Sequence, residues 1–286
     1  MSYVKKNKNP NICIIGLGYV GIPLAVEFSN HYKTFGYDIN KAKVTDLKNG
    51  IDPTQEVSKE KLKNLKKITF TNDISITEKC SFFIVTVPTP VTKKRLPDLK
   101  SIKEATNMIS RVLKKGDIVV YESTVYPGTI EEVCVPILEE YSKLKYNKDF
   151  FCGYSPERIN PGDQKHSLKK INKIVSGSNK YSLSRIKKLY SSIIGSKVIL
   201  SSSIKEAEAA KVIENIQRDL NIALMNELSI IFNKLEINTN NVLRLAETKW
   251  NFHSYNPGLV GGHCIGVDPY YLIYAAKKKG LSPKII

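Results

Sequence analysis

The sequence lacks any apolar run long enough to cross a membrane, which takes about 20 residues in a helix. Its first ten residues are polar and rich in lysine, and the apolar run that follows, Ile12 to Ile15, is too short for a signal peptide. These absences predict a soluble, cytoplasmic protein with no membrane partner. The chain has 286 residues, of which 42% are hydrophobic, and this is enough for two domains with a real core.

Acidic residues and arginine are scarce. The sequence has 27 Asp and Glu against 44 Lys and Arg, which gives a net charge of +17, and only six of the 44 are arginine. The basic residues are scattered, with no basic helix and no interleaving of arginine with aromatic residues, so nothing marks a nucleic-acid surface. We therefore predict a solvated, lysine-rich surface and no nucleic-acid partner. Its positive field would attract a polyanionic substrate.

Cysteine and histidine are also few, at five and four residues. An odd number of cysteines without paired spacing argues against a disulfide framework, and the histidines lack the spacing of metal ligands, so no metal is predicted. Cys264 stands apart because four glycines surround it between Gly258 and Pro269. A thiol in such backbone is better placed to be a nucleophile than to pack in a core. The other four adjoin apolar runs and are expected to be small buried hydrophobes: Cys13, Cys80, Cys134 and Cys152.

A glycine motif follows the apolar strand at residues 12–15 and opens a helix predicted over 22–29. A second strand, predicted over 33–37, ends in Asp38, and this order is typical of a dinucleotide-binding unit. The helix N-terminus would face the pyrophosphate. A carboxylate at Asp38 would hold the ribose hydroxyls and repel the extra phosphate of NADP, so NAD is the predicted cofactor. The predicted contacts are Gly16, Gly18, Tyr19, Val20, Gly21 and Asp38.

Strands and helices alternate up to about residue 200, which predicts a doubly wound, Rossmann-like parallel sheet of the α/β class. Several predicted strands end in polar residues, at the edge where ligands bind to such sheets. From Ile204 to Leu235 the sequence has neither proline nor glycine and shows apolar residues at helical spacing, so one long helix is expected. We predict an NAD-binding domain over 1–200 and a central helical dimerisation domain over 201–286, with a homodimer formed through the 204–235 helix.

With these features in hand, the sequence resembles the UDP-glucose/GDP-mannose dehydrogenase family, and within it the bacterial UDP-N-acetylhexosamine 6-dehydrogenases. The likeness covers essentially the whole chain. Six motifs carry it: Gly16-Leu-Gly-Tyr-Val-Gly21 with Pro23-Leu-Ala25, Val87-Pro-Thr-Pro90, Glu122-Ser-Thr-Val-Tyr-Pro-Gly-Thr129, Tyr154-Ser-Pro-Glu-Arg158 with Asn160-Pro-Gly162, Lys211-Val-Ile-Glu-Asn215, and Gly261-Gly-His-Cys-Ile-Gly-Val-Asp268.

The resemblance implies oxidation of the C6 hydroxyl of a UDP-N-acetylhexosamine to the uronic acid with two NAD, for surface-polysaccharide or capsule synthesis. Members of the family carry a further UDP-binding domain after the catalytic cysteine. Only 22 residues follow Cys264 here, so that domain is expected to be absent from this chain. Which hexose is oxidised stays open at this point.

The resemblance also implies catalytic roles. Cys264 would trap the aldehyde as a thiohemiacetal and then become a thioester. Lys211 and Asn215, four residues apart on one helix face, would stabilise oxyanion character at C6. Asp268 would assist proton transfer through water, with a helix cap as the alternative interpretation.

Further residues would face the cofactor or the sugar nucleotide. Glu157 would position the water that cleaves the thioester, or else form an ion pair with Arg158. Thr124 would bind that water or the substrate. Cofactor contacts are expected from Pro88, Thr89, Glu122 and Thr124. Substrate contacts are expected from Glu157, Arg158, Lys211, Asn215, Tyr255, Asn256, Gly258 and Gly261. A plain loop is the alternative interpretation of the segment that contains Tyr255, Asn256 and Gly258.

Two other functions compete with this interpretation. A two-electron dehydrogenase of the β-hydroxyacid type would also join a Rossmann-like domain to a long helix with a Lys-x-x-x-Asn pair, but it would have no use for a thiol in a glycine loop. A non-catalytic NAD-binding and dimerisation fragment is the second alternative.

Overall fold

The structure is a computed structural model that describes residues 9–158, 168–261 and 266–286. The chain divides into two compact units. The first consists of Met1–Thr89 and Asp98–Lys211, and the second of Pro90–Pro97 and Val212–Ile286.

An eight-stranded sheet forms the centre of the first unit, with strand order β3-β2-β1-β4-β5-β6-β7-β8. Strands β1 to β6 run parallel, β7 runs antiparallel to β6, and β8 runs parallel to β7. The α/β class is thus confirmed, whereas the reversal of the last two strands was not foreseen. The strands are β1 (Ile12–Ile15), β2 (Thr34–Tyr37), β3 (Ile68–Thr71), β4 (Phe82–Val85), β5 (Ile118–Tyr121), β6 (Phe151–Tyr154), β7 (Lys173–Gly177) and β8 (Val198–Leu200).

Two hydrophobic clusters cover the two faces of this sheet, and successive residues of a strand belong to opposite clusters. On β1, for example, Ile12 and Ile14 lie in one cluster and Cys13 and Ile15 in the other. Burial on both faces explains why the central strands read as continuous apolar runs. Cys13, Cys80, Cys134 and Cys152 are all buried, as predicted. The flanking helices are α1 (Gly21–Ser29), α2 (Lys41–Lys48), α3 (Lys59–Lys63), α4 (Lys100–Ser110), α5 (Val135–Ser142) and α6 (Lys180–Tyr190), with a 3₁₀ helix at Ile74–Lys79 and a π-helical turn at Ile130–Cys134.

Helix α7 (Ile204–Lys234) has 31 residues, which confirms the predicted long helix. At about 1.5 Å per residue it is roughly 46 Å long. The second unit also contains α8 (Thr239–Ala246) and α9 (Asp268–Lys278). Residues 90–97 contact α9, since the Tyr271 hydroxyl donates to the carbonyl oxygen of Pro90 at 3.2 Å and the Arg95 guanidinium lies 5.3 Å from the Tyr270 ring centroid. Within the described ranges, no helix is both long and apolar enough to cross a membrane.

A buried carboxylate fixes the first turns of α7 within the first unit. Glu208 is fully buried, and its two oxygens accept the backbone N–H groups of Gly128 and Ile130, the latter at 2.9 Å. Burial raises the pKa of Glu208 from its ordinary 4.5 to about 7, and the two N–H donors only partly oppose that rise. The native state therefore binds a proton at Glu208 more tightly than the unfolded chain does.

This shift predicts a pH dependence of stability. Because the folded pKa is raised, the contribution of Glu208 is fully present below pH 4.5 and is lost as the pH rises through 7. The loss amounts to about 2 to 3 kcal/mol of unfolding free energy. Urea unfolding measured between pH 4.5 and 7.5 should show that the free energy of unfolding falls as the pH rises. Glu208→Gln should make this fall smaller. The matched control Glu206→Gln, at an exposed position on the same helix, should leave the slope intact. An equal slope in both variants would contradict the assignment.

Candidate functional site

The glycine loop after β1 is packed so tightly that one of its glycines cannot be replaced without displacement. A Cβ atom on Gly21 would lie 1.9 Å from the carbonyl oxygen of Gly16. Gly16 itself has φ +95°, and its carbonyl accepts the Thr86 hydroxyl at 2.7 Å. A Cβ on Gly18, in contrast, would meet nothing within 4 Å. Open space therefore lies in front of the N-terminus of α1, where N–H groups and the helix dipole suit a phosphate.

Asp38 connects the end of β2 to this loop. Its Oδ2 accepts the Leu17 N–H at 2.9 Å and the Lys43 ammonium at 3.1 Å, and its Oδ1 accepts the Asn40 N–H at 2.9 Å. A carboxylate offers about four acceptor positions, so three bonds leave room for a ribose hydroxyl. The same side chain thus fixes the loop and suits the sugar of a dinucleotide. Tyr19, predicted as a contact, is 55% exposed beside the loop.

The carboxyl ends of β4 and β5 are joined by side-chain bonds. The Thr89 hydroxyl donates to the Thr124 carbonyl at 2.6 Å, and the Ser123 hydroxyl donates to the Val87 carbonyl at 2.6 Å. The structure therefore brings Thr89 and Thr124 together, as expected of neighbouring strand tips. Pro88, also predicted to face the cofactor, is exposed.

A charged cluster lies inside the same edge of the sheet. Lys173, which is fully buried, donates through Nζ to Glu122 Oε2 at 2.6 Å and to Glu157 Oε2 at 3.1 Å. The Tyr190 hydroxyl donates to Glu122 Oε1. Glu122 and Glu157 were predicted site residues, but Lys173 and Tyr190 were not. Lys173 is thus an ion-pair partner of Glu157 that was not predicted, and the Arg158 guanidinium donates to the Asn172 carbonyl at 3.2 Å.

The cluster shifts the protonation of its members. Burial raises the pKa of Glu122 to about 7, although the Lys173 ammonium opposes the rise. Burial alone would lower the pKa of Lys173, but the carboxylates of Glu122 and Glu157 outweigh it and raise that pKa above its ordinary value. Lys173 is therefore a cation near neutral pH, while burial shifts Glu122 towards its protonated form.

In the second unit, Asn215 and Asp268 form a buried pair. The Asn215 amide donates to Asp268 Oδ2 at 2.6 Å, and the two residues are 5% and 1% exposed. Asp268 is the first residue of α9, whereas the N-cap is Val267 and makes no side-chain cap bond. The Asp268 carboxylate therefore binds Asn215, and Asp268 is not the N-cap that the alternative interpretation made it. Lys211, one turn before Asn215 on α7, is 7% exposed, unlike an ordinary surface lysine.

The segment before the predicted nucleophile is held by an amide that sequence reasoning missed. Asn226 on α7 donates to the Gly258 carbonyl at 2.9 Å and accepts the Gly258 N–H at 2.8 Å, so its side chain pairs with backbone as a strand would. Tyr255 is half-buried, and Asn256 and Gly261 are exposed. Cys264 lies outside the described residues, and its role stays a prediction.

Comparison with known proteins matches both units. Residues 10–194 match the NAD binding domain of the UDP-glucose/GDP-mannose dehydrogenase family, and residues 205–286 match its central domain. The chain belongs to the UDP-glucose/GDP-mannose dehydrogenase family. NAD is the cofactor of the first domain, and the open backbone at Gly18 and the carboxylate of Asp38 fit it.

Several relatives extend this likeness. The chain is 54% identical over 279 residues to the UDP-N-acetyl-D-glucosamine 6-dehydrogenase of Pseudomonas aeruginosa. That alignment covers 98% of this chain and 66% of that protein. It is 54% identical to Protein CapL of Staphylococcus aureus, covering 97% of this chain and 65% of that protein. A solved UDP-D-ManNAc dehydrogenase from Pyrococcus horikoshii superposes with a TM-score of 0.86 at 32% identity, covering 93% of this chain and 65% of that one. The chain thus spans about two thirds of the length of these relatives.

The contacts of Asp38 lead to a prediction about cofactor choice. Asp38→Ala should weaken NAD binding about tenfold, or about 1.4 kcal/mol, because a ribose acceptor is lost. NADP binding should improve in the same variant, because Lys43 loses its carboxylate partner and can pair with the 2′-phosphate. The double variant Asp38→Ala/Lys43→Ala should lose that improvement. Calorimetric titration with both nucleotides checks this, and tighter binding of NADP than of NAD by the unmutated protein would refute the role of Asp38.

Proposed function

We propose that this chain serves the NAD-dependent, four-electron oxidation of the C6 hydroxyl of UDP-N-acetyl-D-glucosamine to the uronic acid. The observation that carries the proposal is the identity of 54% with UDP-N-acetyl-D-glucosamine 6-dehydrogenases of two organisms, over 98% and 96% of the chain. Identity with UDP-N-acetyl-D-mannosamine dehydrogenases is lower, at 32% and 34% for two of them. The N-acetylglucosamine configuration is therefore favoured among the hexosamines.

An alcohol becomes a carboxylic acid through an aldehyde, which must be retained between two oxidations. Bound NAD supplies the hydride acceptor for each oxidation. In the proposed mechanism the Cys264 thiolate adds to the aldehyde carbonyl and gives a thiohemiacetal. Loss of the second hydride converts this adduct to a thioester, which water cleaves. Covalent attachment prevents escape of the aldehyde.

Residues of the chain would supply the remaining chemistry. The Lys211 ammonium and the Asn215 amide would stabilise negative charge on the C6 oxygen. Asp268 fixes the Asn215 amide through the 2.6 Å bond and would pass protons through water. Glu157 would accept the proton of the hydrolytic water, and Thr124 would help to orient that water. Substrate contacts would come from Arg158, Tyr255, Asn256, Gly258 and Gly261.

The proposed product is an acidic nucleotide sugar for surface-polysaccharide synthesis, and the name of the Staphylococcus aureus relative CapL agrees with a capsule role. We place the reaction in the cytoplasm, since NAD and nucleotide sugars are available there. No nucleic acid is involved in this proposal.

We also propose a homodimer formed through α7. Four large apolar residues of this helix are exposed, Ile230 at 66% among them. The other three are Ile213 at 53%, Leu224 at 49% and Ile231 at 43%. Their spacings of 11 and seven residues place them within about 20° of one another around the helix axis, so they form one stripe. An exposed apolar stripe on a long helix suits a second copy of the same helix.

The dimer is tested by a pair of variants. Leu224→Lys should give a monomer, because two symmetry-related lysines would be forced into the apolar contact. Asn233→Lys adds the same charge at an exposed position about 180° away around α7, and it should remain dimeric. Light scattering at micromolar concentration distinguishes the two states. A monomer before any substitution would remove the proposal.

The covalent mechanism is tested with Cys264→Ser in a protein of the relatives' full length. Serine keeps the shape but is a far poorer nucleophile, and its ester hydrolyses more slowly than a thioester. The variant should therefore stall as a covalent adduct or release aldehyde, while the unmutated protein forms two NADH per sugar. Intact-mass spectrometry with UDP-N-acetyl-D-glucosamine and NAD shows the adduct.

The NADH stoichiometry separates the alternatives. One NADH per substrate in the unmutated protein would favour the β-hydroxyacid type of dehydrogenase, and NAD binding without turnover would favour a non-catalytic function. Normal turnover of Cys264→Ser to the uronic acid, with two NADH and no adduct, would exclude the thiol from the reaction.

A further inference from the structure

The reversal of β7 brings a lysine to the carboxyl edge of the sheet. In the antiparallel ladder between β6 and β7, Tyr154 lies opposite Ser176. Continuing that register by three residues places Glu157 opposite Lys173, the first residue of β7. A strand parallel to β6 would have begun at the other edge of the sheet. The antiparallel course is therefore what puts the Lys173 ammonium beside the two glutamates.

The Glu157 carboxylate is held on both oxygens. Its Oε2 accepts the Lys173 ammonium at 3.1 Å, and its Oε1 accepts the Arg158 N–H at 2.7 Å. Lys173 also binds Glu122 at 2.6 Å, and the Tyr190 hydroxyl binds the other oxygen of Glu122. Glu157 is 9% exposed whereas Lys173 is fully buried, so the lysine lies behind the carboxylate, on its interior side.

Such a cluster is a costly way to stabilise a fold. Buried ion pairs forfeit much of the hydration of each charge, and apolar residues of similar volume often serve stability equally well. This cluster lies where β5 and β6 end, at the edge of the sheet that binds ligands in doubly wound folds. The charge and the position of the cluster therefore both indicate a role in the chemistry at that edge, beyond stabilising the fold.

We infer that Lys173 is a positioning residue, which keeps the Glu157 carboxylate ionised and oriented for the hydrolytic step. The inference rests on the function proposed above and adds a residue to it. In that step the water oxygen bonds to the thioester carbonyl carbon, the C–S bond breaks, and Cys264 departs as a thiolate. Glu157 takes the proton released by the water. Lys173 touches neither water nor substrate, and it acts only through Glu157.

The charged groups around Glu157 set the expected pH effect. From β7 the Lys173 cation favours the ionised form of Glu157, whereas Glu122, at the end of β5, opposes it by repulsion. Tyr190 contributes from α6, where its hydroxyl binds Glu122, and Arg158 is the neighbour in sequence. Loss of the Lys173 cation must therefore raise the pKa of Glu157. The base would then be ionised only at higher pH.

The test compares variants in a protein of the relatives' full length, with UDP-N-acetyl-D-glucosamine and NAD. Lys173→Met should shift the acid limb of kcat upward by about one pH unit or more, which lowers kcat about tenfold on that limb. Because both hydride transfers precede hydrolysis, the variant should show a burst of two NADH per site before slow turnover. Lys173→Arg should restore much of the profile. Lys169→Met, at a lysine whose side chain is 60% exposed, is the matched control and should be unchanged.

Lys173→Met leaves two buried carboxylates without their cation and can fail to fold. The double variant Lys173→Met/Glu122→Gln removes one charge of each sign. Because loss of the Glu122 charge also removes a repulsion on Glu157, a smaller upward shift of the acid limb is expected from it, with the same burst. Circular dichroism at each pH confirms folding. Failure of both variants to fold would overturn the inference, because Lys173 would then serve stability.

The remaining outcomes separate the inference from the proposed function. If the unmutated protein forms two NADH per sugar but the variants lose rate equally at every pH, without a burst, Lys173 does not act through the base and the inference alone fails. If the pH profile of kcat is unchanged in the variants, the inference alone fails as well. If the unmutated protein does not form two NADH per sugar, the proposed function fails and the inference falls with it.

Discussion

The contact between Gly21 and the carbonyl oxygen of Gly16 governs how the first unit is arranged around its cofactor. A Cβ at Gly21 would lie 1.9 Å from that oxygen, so α1 can approach the end of β1 this closely only through glycine. With this close approach, the N-terminus of α1 lies at the carboxyl edge of the sheet, where β1 ends. It also brings the Leu17 N–H within 2.9 Å of Asp38 at the end of the neighbouring strand. One steric constraint thus aligns the phosphate-binding helix end with the ribose-binding carboxylate.

Features that depend on neighbouring residues could be predicted from the sequence. The strand at residues 12–15, the glycine loop and Asp38 follow one another within 27 residues, and their order alone indicates a dinucleotide site. The length of α7 follows from an unbroken run without proline or glycine. Burial of Cys13, Cys80, Cys134 and Cys152 follows from their apolar surroundings in sequence.

Features that depend on strand direction could not be predicted in the same way. Lys169, Lys170 and Lys173 lie within five residues of one another, and nothing local shows which of them is buried. Only the antiparallel register of β7 against β6, with Glu122 lying 51 residues earlier in the chain, selects Lys173. The hydrogen bonds between Asn226 and Gly258 were equally unpredictable. Nothing in the helical pattern around Asn226 indicates a partner 32 residues away.

The few acidic residues of this basic chain are disproportionately internal. Among the described residues, eight acidic side chains are buried, including Glu122, Glu208 and Asp268, whereas only two basic ones are, Lys173 and Lys211. Several of these acids are paired with partly exposed lysines, such as Asp38 with Lys43 and Glu27 with Lys61, and the net charge of +17 still gives the molecule a positive field. Such a field raises the local concentration of polyanions. A dinucleotide and a nucleotide sugar both carry a pyrophosphate. The positive net charge therefore favours the approach of both proposed ligands.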